Sequence, residues 1–119
     1  MAELHEKILV DFRRKFLKRG FCESKSPTPT YRPDVFARKS SKNGIVTAEI
    51  IAEAEIKSTL FTDHTSEQLV TMHEYITVRQ KKRILVSAYL VVPIGKEILS
   101  LSKSLLNSLD IENIQIVQF

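Results

Sequence analysis

The chain has 119 residues, 43% of them hydrophobic and 27% charged, with a formal net charge of +4. That length suits one domain around a single core, and the balance is a globular one that excludes wholesale disorder. No apolar run approaches the roughly 20 residues that span a bilayer, and the single cysteine, Cys22, excludes an internal disulfide or a cysteine-ligated zinc or iron–sulfur centre built by one chain.

Residues Met1 to Lys7 pass straight from charge into an amphipathic pattern, so no signal peptide is expected and the cytoplasm is the default location. Leu4, Ile8, Leu9, Phe12, Phe16 and Leu17 recur at three- and four-residue steps and predict a helix over 3–19. Its other face carries Arg13, Arg14, Lys15, Lys18 and Arg19, and Gly20 supplies the stop. A short strand is expected over 21–25. Pro27 and Pro29 exclude a regular ladder, so 26–30 is a loop.

A strand from Tyr31 to Lys39, a turn at Ser40–Gly44 and a second arm from Ile45 to Thr59 form a predicted hairpin, with Asn43-Gly44 as the reverse-turn signal. Strand side chains alternate between faces. Ala48, Ile50, Ala52, Ala54 and Ile56 therefore point one way, and Glu49, Ile51, Glu53, Glu55 and Lys57 the other. After a polar link at Thr62, Asp63 and His64, a second helix is expected over 65–81, capped by Thr65 or Ser66. The nearly all-apolar run Arg83–Pro93 reads as a strand covered on both faces. A helix over 95–109 and a strand over 114–119 complete the order α-β-β-β-α-β-α-β, one α/β domain spanning 1–119.

Asp34 and Glu55 offer oxygen ligands suited to the hard cations Mg²⁺ and Mn²⁺. Spacing by two places Lys57 on the same strand face as Glu55, so its ammonium would lie beside a carboxylate-bound metal. Such a metal polarises a phosphate and lowers the pKa of a bound water, which a nearby lysine can position. The competing reading of Glu49, Glu53, Glu55 and Lys57 is the solvated face of an antiparallel strand. Pro33-Asp34 in the paired arm favours the site.

Asp34, followed 21 residues later by Glu55-x-Lys57 across a hairpin, resembles the PD-(D/E)xK nuclease superfamily. The predicted α-β-β-β-α-β order matches that family's core over most of the chain. The resemblance implies a restriction-endonuclease-like fold, a mixed central sheet flanked by helices, extended here by a C-terminal helix and strand. It also implies a Mg²⁺- or Mn²⁺-dependent endonuclease that hydrolyses DNA phosphodiester bonds. Asp34, Glu55 and the backbone carbonyl of Ile56 would hold the metal, and Lys57 would assist the attacking water.

Gln68 and Tyr75 resemble the Gln and Tyr that several branches place after the E-x-K strand, although Gln-x6-Tyr here differs from the Gln-x3-Tyr of one branch. Gln68 is a candidate phosphate contact; Tyr75 is that or core. Some members add an acid from the first helix, for which Glu6 is the candidate, against an ordinary solvent-facing glutamate near a helix N-terminus. Glu53 is an auxiliary ligand or a partner of Lys57.

Arg32, Arg38, Lys39, Lys42, Arg79 and Lys82 are candidate contacts to a nucleic-acid backbone, or solvated charges. Compact archaeal Holliday-junction resolvases are similar in size and element order, which points to a homodimer acting on junction or branched DNA. A helicase or specificity subunit is a further partner that the small size accommodates. The alternative is a non-catalytic nucleic-acid-binding or assembly module that retains the fold. No Gly-rich phosphate loop is present, which excludes an intrinsic ATPase motor.

Overall fold

The computed structural model describes residues 2–18, 20–24 and 26–119. The apolar stripe of the N-terminal segment forms α1 (Ala2–Phe16), which buries Ile8, Leu9 and Phe12. It stops three residues before the predicted end; Arg19, like Lys25 at the end of the first predicted strand, lies outside the described residues. β1 (Phe21–Glu23) pairs antiparallel with β2 (Val35–Ser40), and β2 with β3 (Val46–Ala54). Gly44, at φ +77°, donates its N–H to the Ser41 carbonyl and closes the expected turn.

A short helical turn, α2 (Lys57–Leu60), leads to α3 (Asp63–Lys81), β4 (Leu85–Val92), α4 (Lys96–Ser108) and β5 (Gln115–Gln118). β4 pairs parallel with both β3 and β5, giving one mixed sheet in the order β1-β2-β3-β4-β5. Thr62 caps α3, rather than Thr65 or Ser66, because its hydroxyl oxygen accepts the Thr65 N–H at 3.2 Å. No helix among the described residues is long and apolar enough to cross a membrane.

Right-handed crossovers that advance in one direction put both connecting helices on the same face. The cores follow that geometry. Leu69, Met72 and Ile76 of α3 and Ile98, Leu105 and Leu106 of α4 pack with Phe36, Ile51, Ala88 and Leu90 on one face. Ile8, Leu9 and Phe12 of α1 pack with Val35, Ile50, Ala52 and Val91 on the other. The fold is thus a mixed α/β arrangement with helices on both faces of a five-stranded sheet. β4, interior to the sheet and covered on both faces, accounts for the apolar run that predicted it.

Two predicted arms are shorter than the sequence suggests, and both end at the same place. β2 starts at Val35, not Tyr31, because Pro33 has no N–H and the Asp34 N–H turns instead to Glu53 Oε1 at 3.0 Å. β3 ends at Ala54, not Thr59, because the Ala54 N–H is taken by Asp34 Oδ2 at 2.8 Å.

Candidate carboxylate site

The chain ends of these two strands build the site. Asp34 and Glu53 would be the next pair in register beyond Val35 and Ala52. Each carboxylate instead spends one oxygen on a backbone N–H of the opposite arm, Glu53 Oε1 on Asp34 and Asp34 Oδ2 on Ala54. Arg13 of α1 donates from Nη2 to the Asp34 carbonyl at 3.2 Å, and His5 Nε2 lies 3.4 Å from Asp34 Oδ2. Four groups therefore hold Asp34 in place.

Glu55 follows directly. Its N–H donates to the Val91 carbonyl at 2.9 Å, which extends the parallel pairing with β4 by one bond. Glu53 is 6% exposed and Glu55 8%, so two carboxylates flank Ala54 with little access to water. Burial pushes Glu53 up to about 8, the Asp34 charge adds to the rise, the Asp34 N–H opposes it, and Glu55 adds a further push. Burial also raises the Glu55 carboxyl above its usual range; the Thr59 and Thr65 hydroxyls beside it pull the other way, and the Asp34 charge pushes with burial. Two acids thus sit where negative charge accumulates, opposed at Glu55 by His5.

Among the described residues, the Tyr31 hydroxyl and Gln68 Oε1 are buried without a hydrogen-bond partner. Tyr31, 3% exposed, feels the charges of Glu53 and Asp34, and burial first, then these charges, hold its hydroxyl far above the usual tyrosine range. Gln68 lies one helical turn beyond Thr65 on α3.

Other predicted site residues fall differently. Lys57 does not share a strand face with Glu55, because β3 has ended three residues earlier and Lys57 opens α2. Its ammonium pairs with Glu97 Oε1 of α4 at 2.7 Å, with the two side chains 64% and 70% exposed. The Ile56 carbonyl is committed to α2, accepting the Thr59 and Leu60 N–H groups at 3.1 and 3.0 Å. The Glu6 side chain is 70% exposed and lies 3.8 Å from His5.

Tyr75, Arg38 and Arg79 belong to another cluster. Glu49, 1% exposed, accepts from Tyr75 Oη at 2.7 Å, Arg38 Nε at 2.8 Å and Arg79 Nε at 2.9 Å. Burial acts to raise Glu49, but Arg79, Tyr75 and Arg38 outweigh it and hold the carboxyl below its usual range. Lys39, Lys42 and Lys82 are exposed, as is Arg32, two residues before Asp34.

His5 is the site residue that sequence reasoning missed. A signal for it exists. His5 precedes Ile8, Leu9 and Phe12 by three, four and seven residues, so it continues the stripe that faces the sheet. A polar residue at the end of such a stripe has to meet something polar on the sheet, and here it meets Asp34.

The donor set of Asp34, Glu53 and Glu55 is all oxygen and anionic, which fits a hard divalent cation by chemistry. As the side chains stand, no trio of His, Cys, Asp and Glu among the described residues encloses a metal position. Comparison with protein-family models, curated proteins and solved structures finds no match for this chain.

Proposed function

We propose that the chain is a divalent-cation-dependent nuclease of the PD-(D/E)xK kind, with Asp34, Glu53 and Glu55 as its ligand set. The observation that carries this reading is the reciprocal pair of hydrogen bonds between Asp34 and the Glu53–Ala54 segment. It brings three carboxylates to one end of β3. A helix, three antiparallel strands, a helix and a parallel strand, in that chain order, support the restriction-endonuclease-like assignment.

In this reading the motif is Asp34 with Glu53-x-Glu55, and the position filled by lysine in the family pattern holds Glu55. Mg²⁺ or Mn²⁺ bound there would polarise a phosphodiester and lower the pKa of the attacking water. Asp34 and Glu53 each keep one carboxylate oxygen free of the backbone for ligation, and Glu55 completes the set. His5 supplies the rim nitrogen in place of Lys57. The Tyr31 hydroxyl, within reach of the Glu53 and Asp34 charges, keeps an unpaired donor there, and Gln68 on α3 keeps an unpaired acceptor. DNA is the proposed substrate, and a homodimer would present two such sites to both strands or to a branch.

The test is cleavage of duplex, single-stranded and four-way-junction DNA with Mg²⁺, Mn²⁺ or chelator. Wild-type protein should cut with metal only, and Asp34→Asn or Glu53→Gln should reduce cutting about 100-fold or more. Undiminished cutting by both variants would remove the site.

A second reading, a non-catalytic nucleic-acid-binding or assembly module, draws support from the pairing of Lys57 with Glu97 rather than with the site. Metal-independent DNA binding without cleavage under any condition would favour it.

A further inference from the structure

Apart from Arg32, two residues before Asp34, the cations proposed to contact DNA do not surround the carboxylates. Asp34 precedes β2, which ends six residues later at Ser40, about 20 Å away at roughly 3.3 Å per residue. α3 starts beside Glu55 and closes with Lys81 after 19 residues, about 28 Å of helix. α1 likewise carries His5 near the carboxylates, and Lys18 lies beyond its other end. β2 and α3 run from the carboxylate end to the hairpin end and bring Lys39, Arg79 and Lys81 there, where Lys18 also lies; along α1, Arg13 instead bonds the Asp34 carbonyl and Lys15 lies over Phe119.

That end is continuous. Phe21 is in register with Lys39, whose side chain lies 3.3 Å from where a β-carbon on Gly20 would sit, so the exit from α1 abuts the end of β2. On the other face Arg38 and Arg79 share Glu49, which joins β2 and β3 to the last turns of α3. Two guanidiniums on one carboxylate leave positive charge over. At this end Lys18, Lys39, Lys42, Lys81, Lys82 and Arg83 are exposed and enter no ion pair among the described residues.

Nearby acids offset only part of this. Glu23 is occupied by Arg13 at 2.9 Å, while Asp110 and Glu112 stand towards the β5 edge. No large aromatic side chain is exposed in this band among the described residues, so it lacks a platform for stacking unpaired bases. Phosphate contact is the chemistry that remains.

We propose that the hairpin end is a docking surface for the sugar-phosphate backbone of duplex nucleic acid, about 20 Å from the carboxylates. The substrate is then held at one end of the molecule and cut at the other, the second half of which rests on the nuclease reading. At about 3.4 Å per base pair the separation corresponds to roughly six base pairs. Duplex extending less than that from the scissile bond loses the contact.

The experiment is fluorescence anisotropy of a labelled 20-base-pair duplex with the full chain in chelator, between 50 and 200 mM salt. Wild type should bind with a log–log salt slope of about −4, as expected for four or five neutralised phosphates. Lys42→Glu/Lys82→Glu should bind at least about 10-fold more weakly and with a shallower slope. Lys96→Glu, at an exposed lysine at the start of α4 away from the hairpin end, should bind as wild type does. Lys18→Glu/Lys39→Glu, on the other sheet face, repeats the test should the first pair fold poorly. Binding by both charge-reversed proteins that equals wild type, or wild-type binding indifferent to salt, overturns the proposal. Binding as expected without cleavage in Mg²⁺ or Mn²⁺ removes the nuclease reading and leaves the docking surface standing.

Discussion

Glu49 and Glu53 lie four residues apart on one face of one strand, both almost wholly buried, and their surroundings treat them in opposite ways. Glu49 has two guanidiniums and a phenol on its oxygens and is held ionised. Glu53 has one backbone N–H and two neighbouring carboxylates, and its pKa rises to about 8. Burial alone therefore does not distinguish an anchor from a site. The difference lies in whether the protein itself supplies the counter-charge. At Glu49 it does, and the result is a joint between β2, β3 and α3. At Glu53 it does not, and a cation from solution is the missing partner in the proposed function.

The sharpest way to break this contrast is to remove the anchor. Glu49→Ala leaves Arg38 and Arg79 facing each other without a carboxylate, and losing one partner of a buried pair costs about 3–5 kcal/mol. Both arginines retain some solvent contact, so the lower end is expected, a fall in melting temperature of about 10 °C. A thermal melt showing a change of only a degree or two would make Glu49 a spectator.

Glu53 should show the opposite dependence on pH. Its folded pKa is raised to about 8 from an ordinary value of 4.5, so the folded state holds the proton more tightly than the unfolded chain does. The stability this contributes is complete below about pH 4.5 and is lost as pH rises through about 8. In chelator, wild type should lose a few kcal/mol between pH 5 and 8.5. Glu53→Gln should lose much less. Equal slopes in denaturant titrations of the two proteins would contradict the assignment.

Tyr31→Phe tests the orphaned hydroxyl. The ring stays in the core with Leu69 and Met72, and removing a buried donor that has no partner should leave stability unchanged or raise it by about 1 kcal/mol. A loss of more than 1 kcal/mol would mean that the hydroxyl is satisfied in solution. The smallest effect is expected at Lys57→Ala, whose exposed pair with Glu97 is worth less than about 1 kcal/mol. If that variant cuts DNA far more slowly than wild type, Lys57 returns to the site and the motif reverts to Glu55-x-Lys57.

Much of the fold was legible because it rests on short-range signals. The α1 stripe, the Asn43-Gly44 turn and the apolar run of β4 each reflect one periodicity or one dipeptide. The alternation of β3 placed Glu49, Ile51 and Glu53 on one face and Ile50, Ala52 and Ala54 on the other, as their two cores require. The alternation could not be carried on to Lys57, because the end of β3 is set by Asp34, 20 residues upstream, taking the Ala54 N–H. Ile56 was misread for the same reason. Its carbonyl caps a helical turn that the strand pattern does not announce. The cations were legible as charge but not as place: that the hairpin and α3 deliver theirs to one end follows from topology, not from spacing.

The central claim is that Asp34, Glu53 and Glu55 share a divalent cation. Isothermal titration of Mn²⁺ into the full chain at pH 8 tests it without any substrate. One Mn²⁺ per chain should bind to wild type, with proton release from Glu53, and binding should disappear in Asp34→Asn and in Glu53→Gln while Glu49→Gln keeps it. Uptake that is absent from wild type, or that survives in both site variants, would contradict it.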